Sequence, residues 1–176
     1  HHCSGSVFAE DRPPAVKAER QWGGHAFNNV YATKGGGHVV LSGMEEKFVR
    51  NLLRVLRRED LAEAALQPPG AAHAPVKAFL AGAFLQRTRD EWEAALLHED
   101  VCFAPVLDLR EAFAQPHVSE REMILRDADG NLHIGNPIKM REEPARLDFK
   151  VPALGEHTAE VLARRRERAG KGSGQG

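Results

Sequence analysis

Residues 38–48 place a carboxylate where proteins commonly bind ligands. Residues 39–41 form a short apolar run typical of a strand, and Ser42 and Gly43 interrupt it before a helical pattern begins at Met44. A strand that ends in a small-residue turn leaves backbone N–H groups unpaired at the start of the next helix, where the helix dipole is positive. Glu45 at this turn therefore either takes part in proton transfer or caps the helix.

A capping box is the structural alternative for Glu45. Ser42 and Glu45 stand three residues apart, the spacing at which a hydroxyl and a carboxylate each accept a backbone hydrogen bond from the other end of the first helical turn. The same spacing recurs at residues 88–91 and 119–122, and Asp108 is expected to cap a further short helix. Glu45 thus has a structural explanation that needs no catalysis, and both roles stay open.

Two antiparallel strands are expected to position this turn. Residues 25–33 read as a strand that the chain enters through Gly23 and Gly24, and residues 34–37 are typical of a hairpin connection into residues 39–41. The helix that follows carries one apolar stripe, formed by Phe48, Leu52, Val55 and Leu56 and widened by Val49 and Leu53. The sequence therefore predicts a hairpin that packs against an amphipathic helix.

The rest of the chain carries further signals of secondary structure. Residues 68–70 break the chain before a second helix, and Thr88 opens a third. Residues 101–107 are too short for a helix and too apolar for a solvent-facing strand, so we expect a buried crossing segment that bends at Pro105. Residues 127–131 separate two apolar runs and predict a second hairpin.

Composition excludes several function classes. The chain has 176 residues, of which 42% are hydrophobic and 28% charged, the balance of an ordinary globular protein. The formal net charge of −1 gives no global field to attract nucleic acid or an anionic membrane. No apolar run approaches the roughly 18 residues of a membrane span. We therefore expect a cytoplasmic protein that binds neither nucleic acid nor membrane.

The cysteines and histidines do not form a recognisable metal or disulfide pattern. Cys3 and Cys102 are too few for a disulfide framework, and Cys102 lies in an apolar run, so we expect it to be a reduced, buried thiol of the core. Residues 1–3, and His98 with Cys102, lack a complete ligand set, so no metal site is expected.

Three motifs resemble the family III CoA-transferases, the CaiB/BaiF group that also contains α-methylacyl-CoA racemase and formyl-CoA transferase. The first is Arg-Thr-Arg-Asp-Glu-Trp at residues 87–92, and the second is Val-Cys-Phe-Ala-Pro-Val-Leu at residues 101–107. The third is Pro-Ala-Leu-Gly-Glu-His-Thr at residues 152–158. Their order and spacing also fit, so the resemblance covers roughly residues 23–162.

The resemblance implies an α/β fold: a small α/β domain with a short antiparallel sheet and packed helices, plus a C-terminal return segment that rejoins a large Rossmann-like domain. Residues 1–22 would be a linker, residues 23–107 the small domain and residues 108–169 the return segment. Residues 170–176 are expected to be a disordered tail. The large domain would lie upstream, so the chain is expected to be the C-terminal portion of a longer protein that forms an interlocked homodimer.

The resemblance also implies site residues. Glu45 is similar in position to a racemase glutamate that follows a glycine turn and assists proton transfer beside the thioester, although Glu46 stands where that family has proline. Gly23, Gly24 and His25 resemble a glycine-rich loop that closes over the thioester in the transferases. The predicted substrate-binding residues are therefore Gly23, Gly24, His25, Ser42 and Gly43. A plain turn before a strand, with His25 at the surface, is the structural alternative for this loop.

Two further motifs receive structural interpretations. Arg87 and Arg89 could bind the phosphates of CoA, but helix capping and solvation explain them more simply. His157 at a helix start is expected to fix the turn at Gly155 and not to act in catalysis.

The implied function is that of an acyl-CoA-handling enzyme. It would transfer CoA between a thioester and a carboxylic acid through aspartyl intermediates on an upstream residue, with no metal or organic cofactor. One alternative is α-methylacyl-CoA racemisation by α-proton transfer, which Glu45 favours. Another is a non-catalytic acyl-CoA-binding or dimerisation module. Because the main catalytic aspartate is expected upstream, the chain alone is expected to be inactive.

Overall fold

The computed structural model describes residues 4–145 and 148–172. The chain divides into two compact units, His1–Leu107 and Asp108–Gly176. Each unit combines helices with a small antiparallel sheet, which confirms the predicted α/β class. None of the helices among the described residues is long and apolar enough to cross a membrane.

The first unit is built on a three-stranded antiparallel sheet with the order β1 (Asn28–Ala32), β2 (His38–Ser42) and β3 (Phe103–Pro105). Val30 lies opposite Val40, and Val40 lies opposite Ala104. The predicted hairpin is confirmed, although its first strand begins at Asn28 and not before. The glycines of the connection permit the turn, since Gly35 and Gly36 have φ values of 84° and 87°, a region that side chains disfavour.

The first unit also contains helices. They are α1 (Ser4–Glu10), α2 (Glu46–Val55), α3 (Ala62–Ala65), α4 (His73–Phe84) and α5 (Arg89–Leu96), with a kinked π-helical turn at Arg20–Gly24 and a 3₁₀ turn at Glu59–Leu61. The α2 stripe is buried mainly through Val49, Leu52 and Leu53, whereas Phe48, Val55 and Leu56 are half-buried. The predicted amphipathic packing of α2 is therefore confirmed, with its centre displaced around the helix.

An aromatic cluster fills the core beneath the sheet. The ring of Phe84 lies 5.3 Å from the ring of Tyr31 and 5.2 Å from that of Trp92. Trp92 donates its indole N–H to the carbonyl of Phe84 at 2.9 Å, so its one polar atom is satisfied. Burying each large side chain stabilises the fold by about 1.5–3 kcal/mol, so this cluster joins β1, α4 and α5 into one core.

Some of the predicted helix caps form and one does not. Thr88 and Glu91 exchange both hydrogen bonds at the start of α5, as predicted, and Asp108 does the same with Glu111 at the start of α6 (Leu109–Phe113). The box predicted at residues 119–122 is wrong, because Ser119 lies in the last turn of the helix Pro116–Glu120 and the chain then enters the strand Ile124–Arg126. The proline at the first helical position already sets the start of that helix.

Strand β3 corrects the expected burial of residues 101–107. Along this segment, half-buried residues such as Phe103 alternate with exposed ones such as Ala104, and the Cys102 thiol is exposed. Among the described residues β3 pairs with β2 alone, so it is an edge strand with one face open. Pro105 ends the strand, as its missing N–H requires. The prediction of a buried Cys102 was therefore wrong.

The second unit contains α6 (Leu109–Phe113), α7 (Pro116–Glu120), the hairpin β4 (Ile124–Arg126) and β5 (Leu132–Ile134), and α8 (Thr158–Gly172). The hairpin is confirmed, and the Asp127 carboxylate ties its turn by accepting the backbone N–H groups of Asp129 and Asn131. Helix α8 includes the first three residues of the predicted tail, and residues 173–176 lie outside the described residues.

Candidate functional site

Glu45 immediately precedes α2 as its N-cap residue, in an extended conformation. Its side chain is exposed, and it makes no hydrogen bond or ion pair with any residue that the structure describes. The predicted capping role was therefore wrong: the Glu45 carboxylate accepts no hydrogen bond from the first turn, and only its backbone carbonyl accepts the N–H of Val49. Its carboxylate is left free to act on a ligand, and its catalytic role stays a prediction.

Ser42 explains why the expected capping box does not form. Ser42 is the last residue of β2, and its N–H donates to the carbonyl of Cys102 at 3.1 Å. Its hydroxyl donates to Oδ1 of Asn28 at 3.4 Å. Because its backbone stays in the sheet, Ser42 cannot cap a helix that begins at Glu46. Its side chain is exposed beside Glu45, as a substrate-contacting residue would be.

Gly43 is required by close packing. The glycine is buried, and its N–H donates to the carbonyl of Phe27 at 3.1 Å. A Cβ at this position would lie 2.5 Å from Cβ of Cys102 and 2.9 Å from Cβ of Phe48. This packing explains the glycine without a ligand, and its predicted contact with substrate stays untested.

Gly23 and Gly24 are also conformationally required. Gly23 has a φ of 81°, in the left-handed region. A Cβ at the buried Gly24 would collide with the carbonyl oxygens of Ala18 and Glu19. The two glycines therefore let the loop turn back against the residues before it, and their exposure differs, since Gly23 is half-buried and Gly24 is buried.

His25 corrects the expectation of a surface histidine. Only 2% of its surface is exposed, and its ring lies 4.3 Å from that of the fully buried His73 on α4. Its Nδ1 accepts the N–H of Phe27 at 3.0 Å. Burial lowers the pKa of His25 to about 4, and the positive charges of Arg20 and Lys77 act in the same direction. His25 is therefore neutral at pH 7.

The lowered pKa of His25 predicts acid sensitivity. The unfolded chain binds a proton at His25 below about pH 6.5, whereas the folded chain binds it only below about pH 4. The contribution of neutral His25 to the free energy of unfolding is therefore fully present above pH 6.5 and is lost as the pH falls towards 4. We expect urea midpoints of the chain to fall across this window and His25→Asn to flatten the fall. His98→Asn, which changes an exposed histidine, should leave the dependence of the urea midpoint on pH unchanged. If His25→Asn showed the same dependence as the unsubstituted chain, the prediction would be contradicted.

Asn28 joins the two candidate stretches. Its side-chain N–H donates to the carbonyl of Arg20 at 3.3 Å while its oxygen accepts from Ser42. Nε of Arg20 in turn lies 3.4 Å from Sδ of Met44, directly before Glu45. The glycine loop (residues 23–27) and the turn before Glu45 (residues 42–45) therefore meet at one end of the sheet. Sequence reasoning missed Asn28, although an asparagine in a strand is a signal because strands are depleted in it.

Other predicted ligand positions have structural partners. Arg87 stacks over the ring of Trp92, with 4.9 Å between its guanidinium carbon and the ring centre. Arg89 pairs with Asp90 at 3.0 Å and donates to the carbonyl of Val106 at 3.1 Å. His157 lies 3.7 Å from Glu160. The contacts of Arg87 and Arg89 support the structural interpretation of that motif, whereas the role expected for His157 at the Gly155 turn stays a prediction.

No metal site is found where the structure can be described. In residues 4–145 and 148–172, no three His, Cys, Asp or Glu side chains group as metal ligands would. Residues 1–3, named above as an incomplete ligand set, lie outside the described residues.

Comparison with known proteins shows which family the chain is similar to. The model of CoA-transferase family III matches residues 5–158. Over 151 residues the chain is 32% identical to succinyl-CoA:mesaconate CoA-transferase of Haloarcula hispanica, which covers 78% of the chain and 35% of that protein. Over 141 residues it is 27% identical to human alpha-methylacyl-CoA racemase, and this alignment covers 80% of the chain and 37% of that protein. The chain thus spans about a third of the length of these curated relatives.

Solved structures show the same fold. A CAIB/BAIF family protein from Brucella suis superimposes with a TM-score of 0.62 at 22% identity, over 93% of this chain and 43% of that one. A match of the family model across residues 5–158 includes both stretches of the candidate site and the hairpin of the second unit. The chain therefore belongs to the family III CoA-transferases.

Proposed function

We propose that the chain is part of an enzyme that transfers CoA between an acyl-CoA thioester and a carboxylic acid. The observation that carries this proposal is the match of the family model over residues 5–158. Relatives named as CoA-transferases, from Haloarcula hispanica and Haloarcula marismortui, support the same reaction class. Because the chain spans about a third of such relatives, the activity is proposed for the longer protein and not for these residues alone.

The chain would supply one wall of the active site. In this proposal the glycine loop at Gly23, Gly24 and His25 and the turn at Ser42 and Gly43 contact the substrate. An aspartate of the upstream part attacks the thioester carbonyl, which forms an acyl anhydride and releases the CoA thiolate. The thiolate then attacks the aspartyl carbonyl, which frees the donor acid and leaves an aspartyl-CoA thioester. The acceptor carboxylate reverses these two steps, which yields its own CoA thioester and the free aspartate. The proposal needs no metal or organic cofactor, and it includes a homodimer in the cytoplasm.

A second candidate activity is racemisation at the carbon next to an acyl-CoA thioester. The exposed carboxylate of Glu45 favours it, because a base that removes an α-proton needs an accessible lone pair. The similarity to human alpha-methylacyl-CoA racemase adds support. In this case Glu45 would assist proton transfer, together with groups of the upstream part.

One experiment separates the candidates. The longer protein that contains this chain is incubated in D₂O with a 2-methylacyl-CoA, with and without a second carboxylic acid, and the products are followed by mass spectrometry. We expect a new thioester of the added acid. Deuterium at the α-carbon without any acceptor acid would instead indicate racemisation. Binding without either product would support the non-catalytic module and contradict the transferase.

A further inference from the structure

Side chains from two neighbouring elements hold the backbone of the glycine loop, defined here as residues 23–27. On α4, Nδ1 of His73 accepts the N–H of Ala26 at 3.1 Å, and Nζ of Lys77 donates to the carbonyl of Gly23 at 2.7 Å. On β1, the hydroxyl of Tyr31 donates to the carbonyl of Ala26 at 2.7 Å. Both backbone polar groups of Ala26, and the carbonyl of Gly23, are therefore fixed by side chains outside the loop.

The partners of His73 determine its tautomer. Because Nδ1 accepts a hydrogen bond from Ala26, it carries no proton, so Nε2 carries the proton and donates to the carbonyl of Gln67 at 2.8 Å. The side chain is fully buried. A second proton would turn Nδ1 into a donor facing another donor. The bond to the loop therefore exists only with neutral His73.

Helix α4 is a rigid platform for these contacts. His73 and Lys77 stand four residues apart and so lie on the same face, one helical turn from each other. Three residues of the same helix, Val76, Leu80 and Phe84, are fully buried in the core of the unit. Groups supported by a packed helix hold their position more accurately than groups on a loop. Any displacement of α4 would therefore displace the glycine loop.

The contact between Lys77 and the loop carries a desolvation cost. Burial lowers the pKa of its ammonium group, which shows that the charge is partly desolvated. Among the described residues it makes no ion pair, and its partner is the neutral carbonyl of Gly23. A partly desolvated charge with a neutral partner contributes little to stability. Its contribution is to the position of Gly23.

We propose that His73 and Lys77 are positioning residues for substrate binding: they hold the glycine loop in the conformation that contacts the acyl-CoA, without touching the substrate themselves. The proposal rests on the proposed function, in which this loop binds the thioester. Tyr31 supports the same conformation from the sheet. Neither α4 residue was a candidate in the sequence, since neither belongs to a motif.

Two substitutions of His73 test its contact with Ala26, because each keeps a polar atom at the position of one ring nitrogen only. In His73→Asn the amide oxygen takes the place of Nδ1, and in His73→Gln the amide nitrogen takes the place of Nε2. We expect hydrogen exchange of the Ala26 amide, measured by NMR on the 176-residue chain, to stay slow in His73→Asn and to rise about tenfold in His73→Gln. Exchange at Leu52 in α2 should be equal in both, which controls for global unfolding.

The functional consequence is measured on the longer protein. Lys77→Met keeps the apolar stem and removes the donor to Gly23, and we expect it and His73→Gln to raise KM for the acyl-CoA several-fold more than they lower kcat. Lys47→Met is the matched control, because Lys47 is an exposed lysine on α2 whose partner is Asp100. His73→Asn should restore KM towards the unsubstituted value.

The outcomes separate this inference from the proposed function. Slow Ala26 exchange in both His73 variants, or an unchanged KM in both His73→Gln and Lys77→Met, would overturn it. If the unsubstituted longer protein acts on no acyl-CoA, the proposed function fails, whereas Ala26 exchange still decides whether α4 holds the loop.

Discussion

Glu45→Gln in the longer protein should slow exchange of the substrate α-proton for deuterium by about 100-fold or more, if the racemase activity is the correct one. General acid–base groups contribute about 10²–10⁴-fold to rates, and glutamine keeps the shape of the side chain without its basicity. The fold should not suffer, because the carboxylate makes no hydrogen bond or ion pair to the residues that the structure describes. The measurement is deuterium incorporation followed by mass spectrometry.

The neighbouring carboxylate provides a matched control. Glu46 is also exposed, but its carboxylate pairs with Arg50 at 2.7 Å on the first turns of α2. Glu46→Gln should leave the exchange rate within a small factor and change stability little, because an exposed ion pair on a helix contributes little to the free energy of unfolding. Equal exchange rates in the two variants would remove Glu45 from the proton-transfer step and leave it as a surface residue before α2.

Gly43→Ala should destabilise the chain by about 3 kcal/mol, although it adds a single methyl group. The new Cβ would lie 2.5 Å from Cβ of Cys102 and 2.9 Å from Cβ of Phe48, so a backbone shift in β2 or α2 is unavoidable. Overpacking of this kind costs about 1–3 kcal/mol, and contacts to Cβ atoms, which cannot rotate away, place it at the upper end. Urea unfolding of the chain, followed by tryptophan fluorescence, measures the loss.

Gly82→Ala on α4 is the control for the same chemical change. No heavy atom lies within 4 Å of a Cβ at Gly82, and alanine is the better helix former. This variant should therefore be as stable as the unsubstituted chain or up to about 1 kcal/mol more stable. Comparable stability of Gly43→Ala and Gly82→Ala would show that the turn before Glu45 adapts, contrary to the packing described for it.

Local patterns determined much of the fold. The hairpin β1–β2, the amphipathic α2, the capping box at Thr88 and the second hairpin at residues 127–131 all form as the sequence predicts. Each of these features depends on hydrogen bonds or side-chain periodicity within a few residues, so the information is contained in a short stretch. The family membership also followed from three short motifs, and the family model confirms it.

Distant packing decided the features that the sequence did not predict correctly. His25 is a polar residue of the kind expected at the surface, yet it is buried against His73, which lies far along the chain on α4. Cys102 lies in an apolar run, yet it is exposed because it belongs to the exposed side of the alternation in residues 101–107. Neither outcome can be read from neighbouring residues, since each depends on which element packs from elsewhere.

The sequence by itself determined that Glu45 follows a strand, a glycine turn and Ser42, and that a glycine loop precedes the hairpin. Tertiary structure alone decided that Ser42 stays in the sheet through its bond to Cys102, which leaves the Glu45 carboxylate free. It also decided that Asn28 brings the two stretches to one end of the sheet and that His73 and Lys77 hold the glycine loop. The reason is physical: a hydrogen bond between distant residues forms only after the core has fixed the elements that carry them.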